Sequence, residues 1–281
     1  MVACTPQDNQ GNQDSLDGRL FSGSQGLLSI ELSSGKVTKE FPMDSVSVEN
    51  LSLVNADRLL LSLLVLSPTN RRDRIVEFNR RTKSTRLLAY GRNARSMPFE
   101  NTVIYYNESG QLAKMSLENP EDTSELIDET QNTLPPAVVP IADDQFLYES
   151  KRDGHHEIWL YNMKSGISSE VKALENCSLV HAIWRSKTGE LLCSERKQDG
   201  TFTGKYMLAT LAEIVHEVDF GSDSYWPILY IADDDAAVLQ QRTASVSGGE
   251  RYPVWLYDFS TGTKDLLAED VMLSTGTIYV R

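Results

Sequence analysis

The chain has 281 residues, 40% of them hydrophobic, and a formal net charge of −13. That length and apolar content can bury a substantial core within one all-β domain, while the acidity argues against a nucleic-acid partner, whose phosphates would be repelled. The longest apolar run, around Leu59 to Leu66, is too short to span a membrane.

Residues 1–14 read as a flexible polar tether. Within it, Val2-Ala3-Cys4 followed by Thr-Pro-Gln-Asp-Asn-Gln-Gly-Asn-Gln-Asp resembles the end of a bacterial lipoprotein signal, in which a small residue precedes the lipidated cysteine. The hydrophobic stretch that accompanies such signals is not in the sequence, so Cys4 is a lipidation candidate on its neighbours alone. A membrane association would run through that anchor.

Residues 15–281 read as one domain built from an internal repeat. Its clearest copies are Ile75-Val-Glu-Phe-Asn-Arg-Arg-Thr-Lys-Ser-Thr-Arg-Leu-Leu88, Ile158-Trp-Leu-Tyr-Asn-Met-Lys-Ser-Gly166 and Val254-Trp-Leu-Tyr-Asp-Phe-Ser-Thr-Gly262. Aligned on the residue five before the turn glycine, the copies give anchors at Ile30, Phe78, Met115, Tyr161, Leu208 and Tyr257, about 37 to 49 residues apart. That period suits a four-stranded propeller blade and is too long for a two-helix repeat.

Each copy reads as two strands joined by a tight turn, as in Leu27-Leu-Ser-Ile-Glu-Leu-Ser-Ser-Gly-Lys-Val-Thr-Lys-Glu-Phe41. A second hairpin precedes it in most copies, with Asn, Asp, Gly or Thr in the turn, at Leu51 to Ser62, Val138 to Tyr148, Ala182 to Cys193 and Ile228 to Leu239. Two hairpins make one antiparallel four-stranded sheet. The predicted fold is therefore an all-β, six-bladed β-propeller. The first blade has only three strands of its own, and the orphan segment Val271 to Val280 is expected to supply the missing innermost strand and close the ring. Lys205 to Val218 is read as strands despite a helix-like composition, and the acidic run Glu118 to Glu129 as a solvated outer rim.

Cys177 and Cys193 fall on neighbouring strands of one blade. A hairpin turning near Lys187 to Gly189 would set Cys193 opposite about Ile183, so two separate buried thiols are expected.

At the fourth copy, Tyr148-Glu-Ser-Lys-Arg-Asp-Gly-His-His-Glu-Ile-Trp-Leu-Tyr-Asn-Met-Lys-Ser-Gly166 resembles the blade signature of TolB-like propellers, where a strand ends in Ser-x-Arg-Asp-Gly and the next begins Glu-Ile-Tyr-x-Tyr-Asp. Val254 to Gly262 repeats its second half and Ser194 to Gly200 echoes its first. The resemblance implies a bacterial envelope protein, periplasmic or anchored to the outer membrane, or the non-catalytic part of a prolyl-oligopeptidase-type peptidase. It gives Arg152, Asp153, Arg196 and Arg242 the role of blade-to-blade ion pairs or turn anchors.

In a propeller the loops between second and third strands share one face with the inter-blade loops. Here those loops carry Arg71, Arg72, Arg74, Arg92, Arg95, Lys151, Arg152, Arg196, Lys197 and Arg251, with His155 and His156 beside them. Arginine forks suit carboxylates and phosphates, so this face is the candidate site for an acidic protein segment or an anionic glycan. Asp73, Asp153, Glu195, Asp199 and Glu250 in the same loops oppose the patch.

Catalytic signatures are missing: the sequence holds no Gly-x-Ser-x-Gly elbow and no paired histidines at zinc-peptidase spacing. No cofactor or metal is expected. Asp143-Asp144 and Asp233-Asp234-Asp235 fit turn chemistry better than a calcium loop. The alternative to a binding module is a metal-dependent propeller enzyme of lactonase or lyase type, with carboxylates and amides converging on the axial channel.

Overall fold

The computed structural model describes residues 19–23, 27–31, 33–41, 46–55, 57–65, 72–127, 138–152, 155–197, 200–221, 225–241, 243–244, 250–269, 271–273 and 278–280. Cys4, Arg71, Asp153, Asp199 and Arg242 lie outside these residues, and so do the side chains of Arg152, Glu250 and Arg251.

Every sheet is antiparallel, and each repeat contributes four strands to one of them. The first repeat orders Ile278–Val280, Arg19–Gly23, Leu27–Glu31 and Val37–Phe41, so the C-terminal strand pairs with the N-terminal one, Leu20 opposite Tyr279. The fourth repeat orders Val138–Ala142, Gln145–Arg152, His155–Asn162 and Ile167–Glu170. The fifth uses Cys177–Arg185, Glu190–Arg196, Phe202–Ala209 and Ile214–Val218, and the sixth uses Tyr225–Ile231, Ala236–Gln241, Val254–Asp258 and Lys264–Ala268. Lys205 to Val218 thus falls on two strands, joined by a turn at residues 210–213. All six repeat anchors, Ile30, Phe78, Met115, Tyr161, Leu208 and Tyr257, fall on the third strand of their unit.

The second and third repeats depart from separate four-stranded sheets. They form one seven-stranded sheet because Ser84–Met97 serves both: residues 84–90 pair with Arg74–Asn79 and residues 91–97 with Thr102–Asn107. Gly91 makes the passage possible. Its φ is +151°, and a Cβ there would stand 2.3 Å from the Tyr106 carbonyl oxygen.

Alternating strand residues meet those of the next repeat, so among the described residues the core divides into clusters between consecutive units. Phe21 and Leu27 pack with Leu51, Leu59 and Phe78; Leu60 and Ile75 with Val103 and Met115; Met97 and Tyr106 with Phe146 and Tyr161. Leu147 and Ile158 pack with Leu191 and Met207, and Leu192 and Leu208 with Ala237 and Leu239. A further cluster joins the last repeat to the first, with Ile228, Val238 and Val254 against Leu20 and Ile30.

The turn after the third strand recurs with one geometry. Gly35, Gly166 and Gly262 adopt φ of +65°, +67° and +69° and donate their N–H to the carbonyls of Glu31, Asn162 and Asp258. In the second repeat Lys83 takes the equivalent place at φ +56°. A left-handed conformation costs a side-chain-bearing residue about 1–2 kcal/mol, part of which glycine returns through greater freedom when unfolded. Lys83→Gly is therefore expected to stabilise the protein by about 0.5 kcal/mol, read as a raised urea midpoint at unchanged m-value.

Cys177 and Cys193 are joined as a disulfide with their Cα atoms 5.7 Å apart, which corrects the expectation of separate thiols. The hairpin register begins one residue from the expected one, with Ile183 opposite Leu192 and not Cys193, and the next pair is Ser178 with Ser194. Leu179 through Ala182 therefore face Cys193 alone. This four-against-one bulge, with His181 at φ +59°, sets Cys177 opposite Glu195 and so diagonal to Cys193, within reach of a disulfide.

Candidate functional site

The second-to-third-strand turns and the inter-repeat connections share one end of the molecule, and two clefts open there. The first, about 380 Å³, is lined by Arg72, Asp73, Gly91, Arg92, Asn107 and Glu108. Asn107 carries the turn: its side-chain oxygen accepts the N–H groups of Ser109 and Gln111, which holds Glu108 outward. Arg72 Nε pairs with Glu108 Oε1 at 2.9 Å while its guanidinium lies 4.5 Å from the Tyr90 ring centroid. Burial raises the Asp73 carboxyl pKa, with Arg92 opposing. Burial and then the Asp73 charge raise that of Glu49.

The second cleft, about 210 Å³, lies between the fourth and fifth repeats, lined by His155, His156, Glu157, Glu170, Glu175, Asn176, Arg196 and Lys197 among others. His155 and Lys197 are exposed. Arg196 is 5% exposed and pairs through Nη1 with Oε1 of Glu149, itself 7% exposed, on the neighbouring repeat. The same Glu149 oxygen is 2.6 Å from His156 Nδ1, and Oε2 accepts the Leu179 N–H at 3.3 Å. Arg196 Nη2 donates to the Cys177 carbonyl at 3.4 Å. Arg196 is accordingly engaged in an ion pair between repeats while lining the cleft.

Arg72 and Arg92 are thus brought together, as are His155, His156, Arg196 and Lys197. Arg74 and Lys151 are exposed at the same end. Arg95 is not with them: it lines a central cavity with Pro98, Asp143, Ser186 and Ala232, which belong to the hairpin turns at the opposite end.

That cavity, about 460 Å³, is lined by first strands of several repeats and is mainly apolar, with Leu51, Val139, Ile141, Ile183, Trp184, Ile228 and Leu229 on its walls. Its donors do not fit a divalent metal: Asp143 is the one carboxylate among the described lining residues. Among the described residues, no group of three or more His, Cys, Asp or Glu side chains converges anywhere.

No protein-family model and no curated protein matches the sequence. Solved structures do. TolB from Acinetobacter baumannii superposes with a TM-score of 0.70 at 11% identity, covering 94% of this chain and 66% of that one. A putative TolB from Agrobacterium tumefaciens gives 0.62 at 13% identity, covering 90% and 89%. The fold is that of a TolB-like β-propeller. An oligogalacturonate lyase from Vibrio parahaemolyticus shares it more distantly, at 0.56 and 11% identity over 82% of this chain and 72% of that one. The chain spans just under two thirds of the A. baumannii protein's length. Among the described residues, no helix is long and apolar enough to cross a membrane.

Sequence reasoning missed the contact that staples the fifth and sixth repeats of the propeller. Arg185 forms a two-pronged pair with Asp235, Nε to Oδ1 at 2.7 Å and Nη2 to Oδ2 at 2.6 Å, and Nη1 reaches Glu190 at 2.7 Å. The guanidinium holds the Asp235 carboxyl below its ordinary range. Asp235 does sit in a turn, at φ +49°, but its side chain is spent on the neighbouring repeat.

His181, stacked on Trp226 at 5.9 Å, has a buried Nδ1 with no hydrogen-bond partner, and burial pushes its pKa below the ordinary 6.5. The unfolded chain takes up a proton near pH 6.5 that the folded one resists. Its contribution to stability is therefore full above that pH and is lost as pH falls toward the depressed folded value. His181→Asn, which tolerates the positive φ, is expected to flatten the decline in urea-unfolding stability between about pH 6.5 and 5.

Proposed function

We propose that this chain is a six-bladed propeller, closed by the pairing of Ile278–Val280 with Arg19–Gly23, and that it acts as a non-catalytic binding or scaffold module in the bacterial cell envelope. The observation that carries this reading is the pair of clefts at one end, with Arg72 and Arg92 in one and His155 and Lys197 in the other. The sheets present these loops at one end of the molecule, and the mixture of cations with Glu108, Glu157 and Glu170 suits a protein surface carrying both signs better than a uniformly charged polymer. A protein partner is therefore preferred to an anionic glycan. The Cys177–Cys193 bridge suits an oxidising compartment such as the periplasm. Lipidation at Cys4 would place the module at a membrane surface. The metal-dependent lactonase or lyase reading gains nothing from the apolar cavity.

The test is capture from a bacterial envelope extract, with cross-linking and mass spectrometry to locate contacts. Cross-links from a specific protein should map to the loops around Arg72, Arg92 and Lys197, and the triple change of these residues to Glu should abolish capture. Capture unaffected by the triple variant would overturn the reading.

A further inference from the structure

Among the described residues Arg95 is a guanidinium without a counter-ion. Its Nη1 donates to Asn50 Oδ1 and, at 3.1 Å, to the Leu51 carbonyl. Among the described residues no carboxylate pairs with it, and no hydrogen bond reaches its Nε or Nη2. Two other arginines set into the sheets have acids: Arg185 has Asp235 and Glu190, and Arg196 has Glu149. Arg95 keeps only neutral acceptors, and its pKa is lowered to about 10 by burial alone.

The orientation is fixed from behind. Asn50, 2% exposed, donates its side-chain amide to the Ala94 carbonyl at 3.3 Å, and Ser62 Oγ accepts the Ala94 N–H at 2.9 Å. This clamp pins both the acceptor and the backbone from which Arg95 projects. Arg95 is part-buried on the wall of the central cavity. Around it stand Leu51, Pro98, Val139, Ile141, Ile183 and Trp184. Asp143, the one acid among the described residues of the wall, is exposed and makes no ion pair with Arg95.

A desolvated, uncompensated charge is costly, and the cost is recovered when a fitting anion arrives. The unused Nε and Nη2 edge is the two-pronged donor that matches a carboxylate. The walls reward an apolar body behind that carboxylate, and about 460 Å³ lies in the range of small-molecule sites.

We propose that the central cavity binds a small apolar monocarboxylate, its carboxylate on Arg95 and its aliphatic or aromatic body against Ile141, Ile183 and Trp184. A phosphate or sulfate fits less well, because its additional charge and oxygens would meet apolar wall. The site opens at the end opposite the two clefts and does not rest on a partner binding there.

Calorimetric titration of the full chain with octanoate, 4-phenylbutanoate and indole-3-acetate, each beside its uncharged amide, tests this. At least one acid should bind saturably at one site per chain, with its amide weaker by tenfold or more. Arg95→Gln should erase the preference for acid over amide. Ala182→Phe, which keeps Arg95 and fills the wall, should weaken acid and amide together, with thermal unfolding confirming that both variants fold. If no acid binds below millimolar concentration, if acids and amides bind alike, or if the preference survives Arg95→Gln in a folded protein, the proposal is wrong. Binding of an apolar peptide through a free C-terminal carboxylate, with none of the acids binding, would equally overturn the small-ligand assignment.

Discussion

Glu149→Ala is expected to destabilise the protein by about 3–5 kcal/mol, a large share of the total stability of a typical domain. The carboxylate serves three donors at once, Arg196, His156 and the Leu179 amide, and joins the fourth repeat to the fifth. Truncation leaves a buried guanidinium with only a 3.4 Å contact to the Cys177 carbonyl, and an amide with no acceptor. The large cost is that of orphaning those groups, since an intact buried pair contributes far less than its removal takes away. Glu149→Ala combined with Arg196→Met should therefore be less destabilised than Glu149→Ala alone. Urea unfolding of the two singles and the double gives the coupling directly. Additive effects would mean that the arginine and the acid do not act as a unit.

The propeller was legible because it rests on local pattern. Strand alternation and turn glycines recur at a fixed period, and the six anchors land on equivalent strands without any long-range information. Arg196 was legible for a related reason: its place at the end of a repeated strand suggested a bond between repeats, and Glu149 of the preceding repeat supplies it. Arg185 with Asp235 was not, because the residues are 50 apart and Asp235 already had a sufficient local account in its turn. Arg95 shows the limit most plainly. Position along the chain assigned it to the same loops as Arg92, yet three residues further along a strand the side chain has left that end of the molecule and entered the central cavity. The bulge at Leu179 to Ala182 was equally hidden, since an alternating pattern counts residues and a bulge breaks the count.

That bulge makes the disulfide the second consequential prediction. Produced without lipidation and denatured without reductant, the protein should show a single titratable thiol, Cys4, and three after reduction, because the sequence holds 3 cysteines and two are joined. Closing a loop of 16 residues' separation restricts the unfolded chain, and its loss is expected to cost about 2–4 kcal/mol. Both cysteines are wholly buried, so the native protein should resist reduction until it opens. The bridge also fixes the segment that receives Arg196 at the Cys177 carbonyl and offers Leu179 to Glu149. A paired Cys177→Ala, Cys193→Ala variant should thus lower the penalty that Glu149→Ala imposes, because the donor amide is no longer held in place. Were that penalty the same in both backgrounds, the bridge would act on the unfolded chain alone. Three thiols in the unreduced, denatured protein would mean that the two strands bulge without being joined.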